Sequence, residues 1–362
     1  MSLETLKKEA LELLTELVET PSFSKEEHNT AKLLEAWFEQ HQIPFHRENN
    51  NLWAFNKHYK EGAPLLLLNS HHDTVKPNVG YTRDPFMATL EDGKLFGLGS
   101  NDAGGCLVSL LAVFTWLYDQ KNLNYNLVMV ASAEEENSGA NGLNSVLKSI
   151  PAPDVAIVGE PTQMQLAIAE KGLVVFDATI AGTPGHAAHP NDNNAIYNTI
   201  EVLQWFKDYK FEKSSDLLGD VKLTVSQIQA GTQHNVVPAA VKLVIDVRVN
   251  EKYSNAEINE ILQNEAPCSI EPRSLRLGSS SIPEDHPLVQ AGINMGRKTY
   301  GSPTLSDQAV LSCPSLKLGP GDSTRSHSAD EFIYVDEIFK GIDIYAELLE
   351  SVLAKKSVQK SH

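Results

Sequence analysis

Four short apolar runs, Pro64–Asn69, Asn126–Ala131, Asp154–Val158 and Ser315–Leu318, alternate along the chain with stretches of helical periodicity. A strand that is apolar on both faces has to be covered on both, and helices packed above and below a parallel sheet do this. Amphipathic stretches near residues 3–19 and 24–41 precede the first run. An apolar helix is predicted from Ala103 to Tyr118, and a long helix from Asp336 to Leu353 closes the chain. The pattern predicts an α/β fold around a mostly parallel, doubly wound central sheet.

Residues 171–281 have a different texture. Strands Leu173–Ile180, Val221–Ile228 and Val241–Val249 alternate apolar with polar residues, and helices are predicted near Ala195–Lys207 and Asn255–Asn264. Such alternation belongs to a sheet covered on one face only, so this segment is predicted to be an inserted α+β domain. The parent domain would then comprise residues 1–170 and 282–362. The length of 362 residues leaves room for both, since single domains run to about 100–200.

A net charge of −17 argues against nucleic acid as a partner, because that role needs basic surface. Lys355, Lys356 and Lys360 read as a solvated tail. Apolar runs such as Pro64–Leu68 fall far short of the roughly 18 residues of a membrane span, so no membrane association is expected. Met1–Thr20 is acidic and amphipathic, without the basic leader of a signal peptide. Cys106, Cys268 and Cys313 lack metal-binding spacing and leave an odd thiol, which points to a reducing compartment, the cytoplasm.

In open α/β sheets, ligand-binding residues gather beyond the carboxyl ends of the strands. Each loop there carries a potential metal ligand: His71, His72 and Asp73 after the first run, Asp102 before the apolar helix, and Glu134, Glu135 and Glu136 after the second run. Glu160 follows the third run and His327 the fourth. Taken singly, Asp102 reads as a helix cap, the glutamates as a solvated turn and His327 as a loop histidine. Together they form a mixed nitrogen and oxygen set suited to two divalent ions, zinc with cobalt or manganese as alternatives.

The runs Ser70-His71-His72-Asp73-Thr74-Val75, Gly97-Leu98-Gly99-Ser100-Asn101-Asp102, Glu134-Glu135-Glu136, Gly159-Glu160-Pro161-Thr162 and His327-Ser328-Ala329-Asp330-Glu331 stand in the order found in the dinuclear zinc amidohydrolases and peptidases. The chain resembles that family over essentially its whole length. Within it, Asn69-Ser70-His71, Asn101-Asp102-Ala103-Gly104-Gly105, Glu170-Lys171-Gly172 and Gly231-Thr232-Gln233-His234-Asn235 look most like the acetylornithine deacetylase branch.

The resemblance implies that His71, Asp102 and Glu160 hold one ion and that Asp102, Glu136 and His327 hold the other, with Asp102 shared. Asp73 would orient His71, and Glu135 would be the general base; a shift of one residue would give the base and ligand roles to Glu134 and Glu135. It also implies that the inserted domain is ferredoxin-like and serves as lid and homodimer contact. His186 in Gly182-Thr183-Pro184-Gly185-His186 would stabilise the oxyanion in the partner subunit's site. Asn235 would position substrate, while Arg248 and the Gly319-Pro320-Gly321 loop would receive its carboxylate. Without that context His186 and Asn235 read as turn residues and Arg248 as the partner of a surface acid.

The implied activity is removal of an N-acyl group from an amino acid of arginine biosynthesis, with N-acetylornithine first. N-acetylcitrulline, N-succinyl amino acids, or a di- or tripeptide are the alternatives. A metal-dependent binding protein on the same scaffold is the reading outside enzymes, and it would have no need of Glu135.

Overall fold

The computed structural model describes residues 1–354; Lys355, Lys356 and Lys360 lie outside them. The chain divides into two compact units, the first built from Met1–Ile168, Ser281–Tyr300 and the described residues from Ser306 onward. Ala169–Ser280 and Gly301–Leu305 make up the second.

In the first unit, strands Asn126–Ser132, Leu65–His71, Val155–Val158 and Ser315–Lys317 lie side by side and run parallel. Every residue in them is buried. Their continuous apolar character has a direct cause in the packing. Leu66 and Leu68 point into the core formed with helices Leu3–Glu19, Gly105–Leu117 and Val335–Leu353, while Leu65 and Leu67 join Trp53, Val128, Val130, Leu143 and Val146 in a second cluster. Each fully buried leucine contributes roughly 1.5–3 kcal/mol. The flanks of the sheet are antiparallel: Asn51–Phe55 pairs with Asn126–Ser132, and Leu166–Glu170 meets Ser315–Lys317 at Ala167 and Lys317.

The second unit is a four-stranded antiparallel sheet in the order Lys222–Ala230, Ala240–Val249, Gly172–Ala181, Ser269–Pro272. Helices Ala195–Asp208 and Asn255–Glu265 complete a strand-helix-strand-strand-helix-strand succession, the ferredoxin-like arrangement. Val174, Phe176, Ala178 and Ile180 alternate into its core with Val241, Leu243, Ile245 and Val247. The helix Asn255–Glu265 starts with a capping box in which the Ser254 hydroxyl accepts from the Glu257 N–H and the Glu257 carboxylate accepts from the Ser254 N–H. Among the described residues no helix is long and apolar enough to cross a membrane.

Candidate metal centre

Leu65–His71 has the next strand of this sheet, Asn126–Ser132, on one side and the one after it, Val155–Val158, on the other. Connections leaving its carboxyl end diverge, and the crevice opened there is where ligands bind in sheets of this kind. His71 ends the strand and is buried. Glu134, Glu135 and Glu136 follow Asn126–Ser132, Glu160 follows Val155–Val158, and Asp102 lies in the tight turn Ser100–Gly104 that opens helix Gly105–Leu117.

Asp102 stands between the two histidines. Its Oδ1 lies 3.3 Å from His71 Nε2 and its Oδ2 lies 3.7 Å from His327 Nε2. His71 Nε2 is also 3.8 Å from Glu160 Oε1 and 3.9 Å from Glu135 Oε2, and His327 Nε2 is 2.9 Å from Glu136 Oε2. Ligand atoms of His71, Asp102 and Glu136 lie within 4.8 Å of one another, as do those of His71, Glu135 and Glu160. The His71 side chain is only 2% exposed but that of His327 is 56% exposed, so the crevice opens on the His327 side.

Neighbouring groups fix these side chains. The N–H at His71 Nδ1 donates to the Asp73 carbonyl at 2.9 Å, which makes Nε2 the ring nitrogen that faces the carboxylates. The Asp73 carboxylate accepts from Ser24 Oγ at 2.6 Å and from the backbone N–H groups of Glu135 and Glu136 at 3.0 and 3.1 Å. It therefore orients the acidic turn as well as the imidazole. His72 faces elsewhere, with Nδ1 2.9 Å from Thr30 Oγ1 and Nε2 2.9 Å from the Asn50 carbonyl, and burial pushes it down to about 4. Glu134 also turns away: its Oε1 accepts from the Asn141 amide at 3.3 Å and its N–H donates to Glu27 Oε1 at 3.1 Å.

The electrostatics are those of a site that calls for positive charge. Burial, opposed by His71 and reinforced by Glu160, Asp307 and Glu136, pushes Glu135 well above the usual carboxylate range. Burial also raises Glu136, against its hydrogen bond with His327. Burial would lower His71, yet Asp102 and Asp73 hold its proton affinity well above the usual histidine value. The hydrogen bond to Glu136 brings His327 up to about 9. The same negative field attracts divalent cations, and two imidazoles among carboxylates are the donor set of zinc, cobalt or manganese. The residues present fit two such ions.

Three supporting residues had no role from the sequence. Glu331 is buried under the Asp102 turn, and burial with the adjacent Asp102 charge raises it to about 8. Asp307 accepts from Ser132 Oγ at 2.5 Å, and burial raises it to about 6. Glu27 accepts from Lys25 and Glu134 N–H groups. The run from His327 to Glu331 was the only sequence signal touching any of them.

In the second unit, the pairing of Gly185–His186 with Val236–Val237 brings His186 beside Asn235. His186 Nδ1 accepts from the Ala188 N–H at 3.1 Å, so a neutral ring carries its proton on Nε2 and presents a donor. Arg248 is at the other end of strand Ala240–Val249, roughly 25 Å along it at about 3.3 Å per residue. Asp246 accepts from its Nε and Nη2 at 2.8 and 3.1 Å, the ion-pair arrangement anticipated as the plainer alternative. The Gly319 N–H donates to Thr162 Oγ1 at 3.1 Å, and a side chain there would come within 2.6 Å of Cys106 Sγ and of the Glu160 carbonyl. Close packing under Glu160, rather than an open N–H, is what Gly319 supplies.

Residues 67–351 match the profile of peptidase family M20/M25/M40, and the chain belongs to that family. It is thus a hydrolase acting on amide bonds, with the metal-dependent chemistry of its family. Among its relatives, acetylornithine deacetylase of Proteus mirabilis (strain HI4320) is 28% identical over 384 residues, covering 96% of this chain and 98% of that one. The fold is shared with aminopeptidase PepT of Bacillus cereus, at a TM-score of 0.74 and 19% identity, covering 96% of this chain and 98% of that one. It is shared too with YxeP of Bacillus subtilis, a dinuclear metal-binding peptidase, at a TM-score of 0.73 and 16% identity, covering 97% and 99%.

Proposed function

We propose that this chain is an N-acyl amino acid deacylase of arginine biosynthesis, with N-acetylornithine as first substrate, working with two divalent ions, zinc foremost. The observation that carries this reading is the divided carboxylate of Asp102, one oxygen toward His71 and the other toward His327. In the proposal His71 and Glu160 complete one site and Glu136 and His327 the other. Two adjacent dications repel strongly, and a shared carboxylate offsets that repulsion. The near full-length likeness to acetylornithine deacetylases supports the substrate.

When bound, the ions would supply Lewis acidity to the acyl oxygen and ease the ionisation of water. Glu135, whose proton affinity stands well above that of an ordinary glutamate, takes the water's proton and returns it to the departing amine. Asp73 keeps the base and its neighbour in place through their N–H groups. The Nε2–H of His186, contributed by a partner subunit, stabilises the oxyanion, with Asn235 beside it positioning substrate. Arg248, its guanidinium oriented by Asp246, offers a charged anchor for the substrate carboxylate.

Support for a homodimer comes from the second unit. Ile196, Tyr197 and Ile200 are 45%, 69% and 67% exposed on helix Ala195–Asp208, and strand Lys222–Ala230 is an uncovered sheet edge carrying exposed Ile228. The free thiols of Cys106, Cys268 and Cys313 suit the cytoplasm.

The test is a set of kcat/KM values for N-acetylornithine, N-acetylcitrulline, N-succinylornithine, succinyl-diaminopimelate and a free-amine dipeptide, with and without chelator. N-acetylornithine should lead, and chelation should abolish turnover. A dipeptide that outran every acylated amino acid would replace this reading with a peptidase, and metal binding without any turnover would leave a binding protein.

A further inference from the structure

Glu331 comes four residues after His327, yet its side chain serves the loop that carries Asp102. It is 2% exposed. Its Oε1 accepts from the backbone N–H groups of Asn101 and Asp102, both at 2.9 Å, and its Oε2 accepts from the Gly99 N–H at 3.1 Å. Its own carbonyl accepts from the Gly97 N–H at 2.9 Å. One residue thereby gathers four donors of the Gly97–Asp102 loop.

Those donors need such an acceptor. The loop opens a helix, where N–H groups have no partner within the helix, and Asp102, at φ −119° and ψ 99°, is not itself helical. Gly99 has a φ of 78°, and a side chain there would run into Thr74 Cγ2 at 2.6 Å, so the turn is both tight and buried. A buried N–H without a partner is costly, which would drive the turn to rearrange. A second tie runs parallel: the Asn101 amide donates to the Asp322 carbonyl at 3.1 Å and its Oδ1 accepts from the Asp322 N–H at 3.0 Å. The Asp102 turn and the segment leading to His327 are thus held as one hydrogen-bonded body.

We infer that Glu331 is a positioning residue of the metal centre, which holds the Asp102 turn in ligating shape before any ion arrives and sets the spacing between Asp102 and His327. The inference rests on the ligand assignment proposed above. Glutamine at this position keeps the size but presents an NH₂ group where one of the N–H donors needs an acceptor, so the turn loses part of its hold.

The experiment compares the full-length wild type with Glu331→Gln, both stripped of metal and then titrated with zinc against a chromophoric chelator. Removing such an outer partner typically weakens metal affinity about 10–100-fold, and that loss is expected with far-UV circular dichroism unchanged. A role in folding alone would lower the melting temperature of the stripped protein but leave zinc affinity per folded molecule as it was. Unchanged affinity in a folded variant overturns the inference. Should Glu331→Gln not fold, residue-resolved hydrogen exchange on stripped wild type decides: slow exchange at Gly99, Asn101 and Asp102 is expected, and exchange as fast as in a solvated loop overturns it. Wild type that takes up no zinc would instead overturn the metal assignment, and the exchange result would still judge the hold of Glu331 on the turn.

Discussion

Three consecutive glutamates meet three environments. Glu134, at a φ of 57°, turns toward Asn141 and Glu27, while Glu135 and Glu136 hang their N–H groups on Asp73 and direct their carboxylates toward His71 and His327. Glu135→Gln is expected to lower kcat by about 10²–10⁴-fold with metal content intact, and Glu134→Gln to retain most of the activity. If Glu134→Gln gave the larger loss at full metal content, base and ligand would each move back by one residue. A second outcome concerns protons. With its value raised to about 9, His327 is protonated at pH 7 in the metal-free protein, and it must be neutral to ligate. Metal loading at pH 7 should therefore release at least about one proton, a release that fades as pH rises through 9; calorimetry in buffers of different ionisation enthalpy measures it. Absence of release would remove His327 from the ligand set. The candidate ligands were legible in the sequence because each stands in a loop that follows a recognisable strand or precedes a recognisable helix. Glu331, Asp307 and Glu27 were not, since a carboxylate that accepts hydrogen bonds from distant positions leaves no spacing behind it, and in a chain this acidic it looks like surface.

Among the elements, the four apolar runs reappear as the four parallel strands because burial on both faces leaves no choice of residue type. Leu68 at the heart of Leu65–His71 is fully buried, so Leu68→Ala should cost about 2–5 kcal/mol in denaturant unfolding. Because Leu68 does not touch the crevice chemistry, kcat/KM of the folded fraction should stay near wild type, and a large loss there would mean that the strand end bearing His71 had shifted. The sequence was less informative where elements are short or broken. The second helix was expected from residue 24 but starts at His28, because Lys25 adopts a φ of 79° that no helix tolerates and Ser24 and Glu27 serve Asp73 and the acidic turn instead. The antiparallel strands of the flanks, and the small sheet of Thr89–Glu91, Lys94–Phe96 and Phe332–Tyr334, leave little signal in the sequence because runs of three to five residues are too short to carry a readable period.

For the molecule as a whole, the proposed dimer has a direct check. Tyr197→Asp with Ile200→Glu places charge on the exposed helix face, and light scattering should report a change from dimer to monomer with far-UV circular dichroism preserved. A monomeric wild type would refute the dimer outright. If His186 serves the partner's site, mixing Glu135→Gln chains with His186→Ala chains should restore activity, because one site of each mixed dimer is whole; exchange of subunits without any recovery would confine His186 to its own subunit or remove it from catalysis. The sheet's strand order sets Ser315–Lys317 beside Val155–Val158, far from it in sequence. His71, Asp102, Glu136 and Glu160 are translated before the second unit, but the strand Ser315–Lys317, His327 and Glu331 only after it. A nascent chain that stops short of Ser315 therefore has four of the five proposed ligands but lacks His327 and the strand beside Val155–Val158, so a chain arrested at residue 310 should hold fewer ions against chelator than the full chain. Hydrolytic competence is in this sense acquired only once the chain has passed through the second unit and returned to the first.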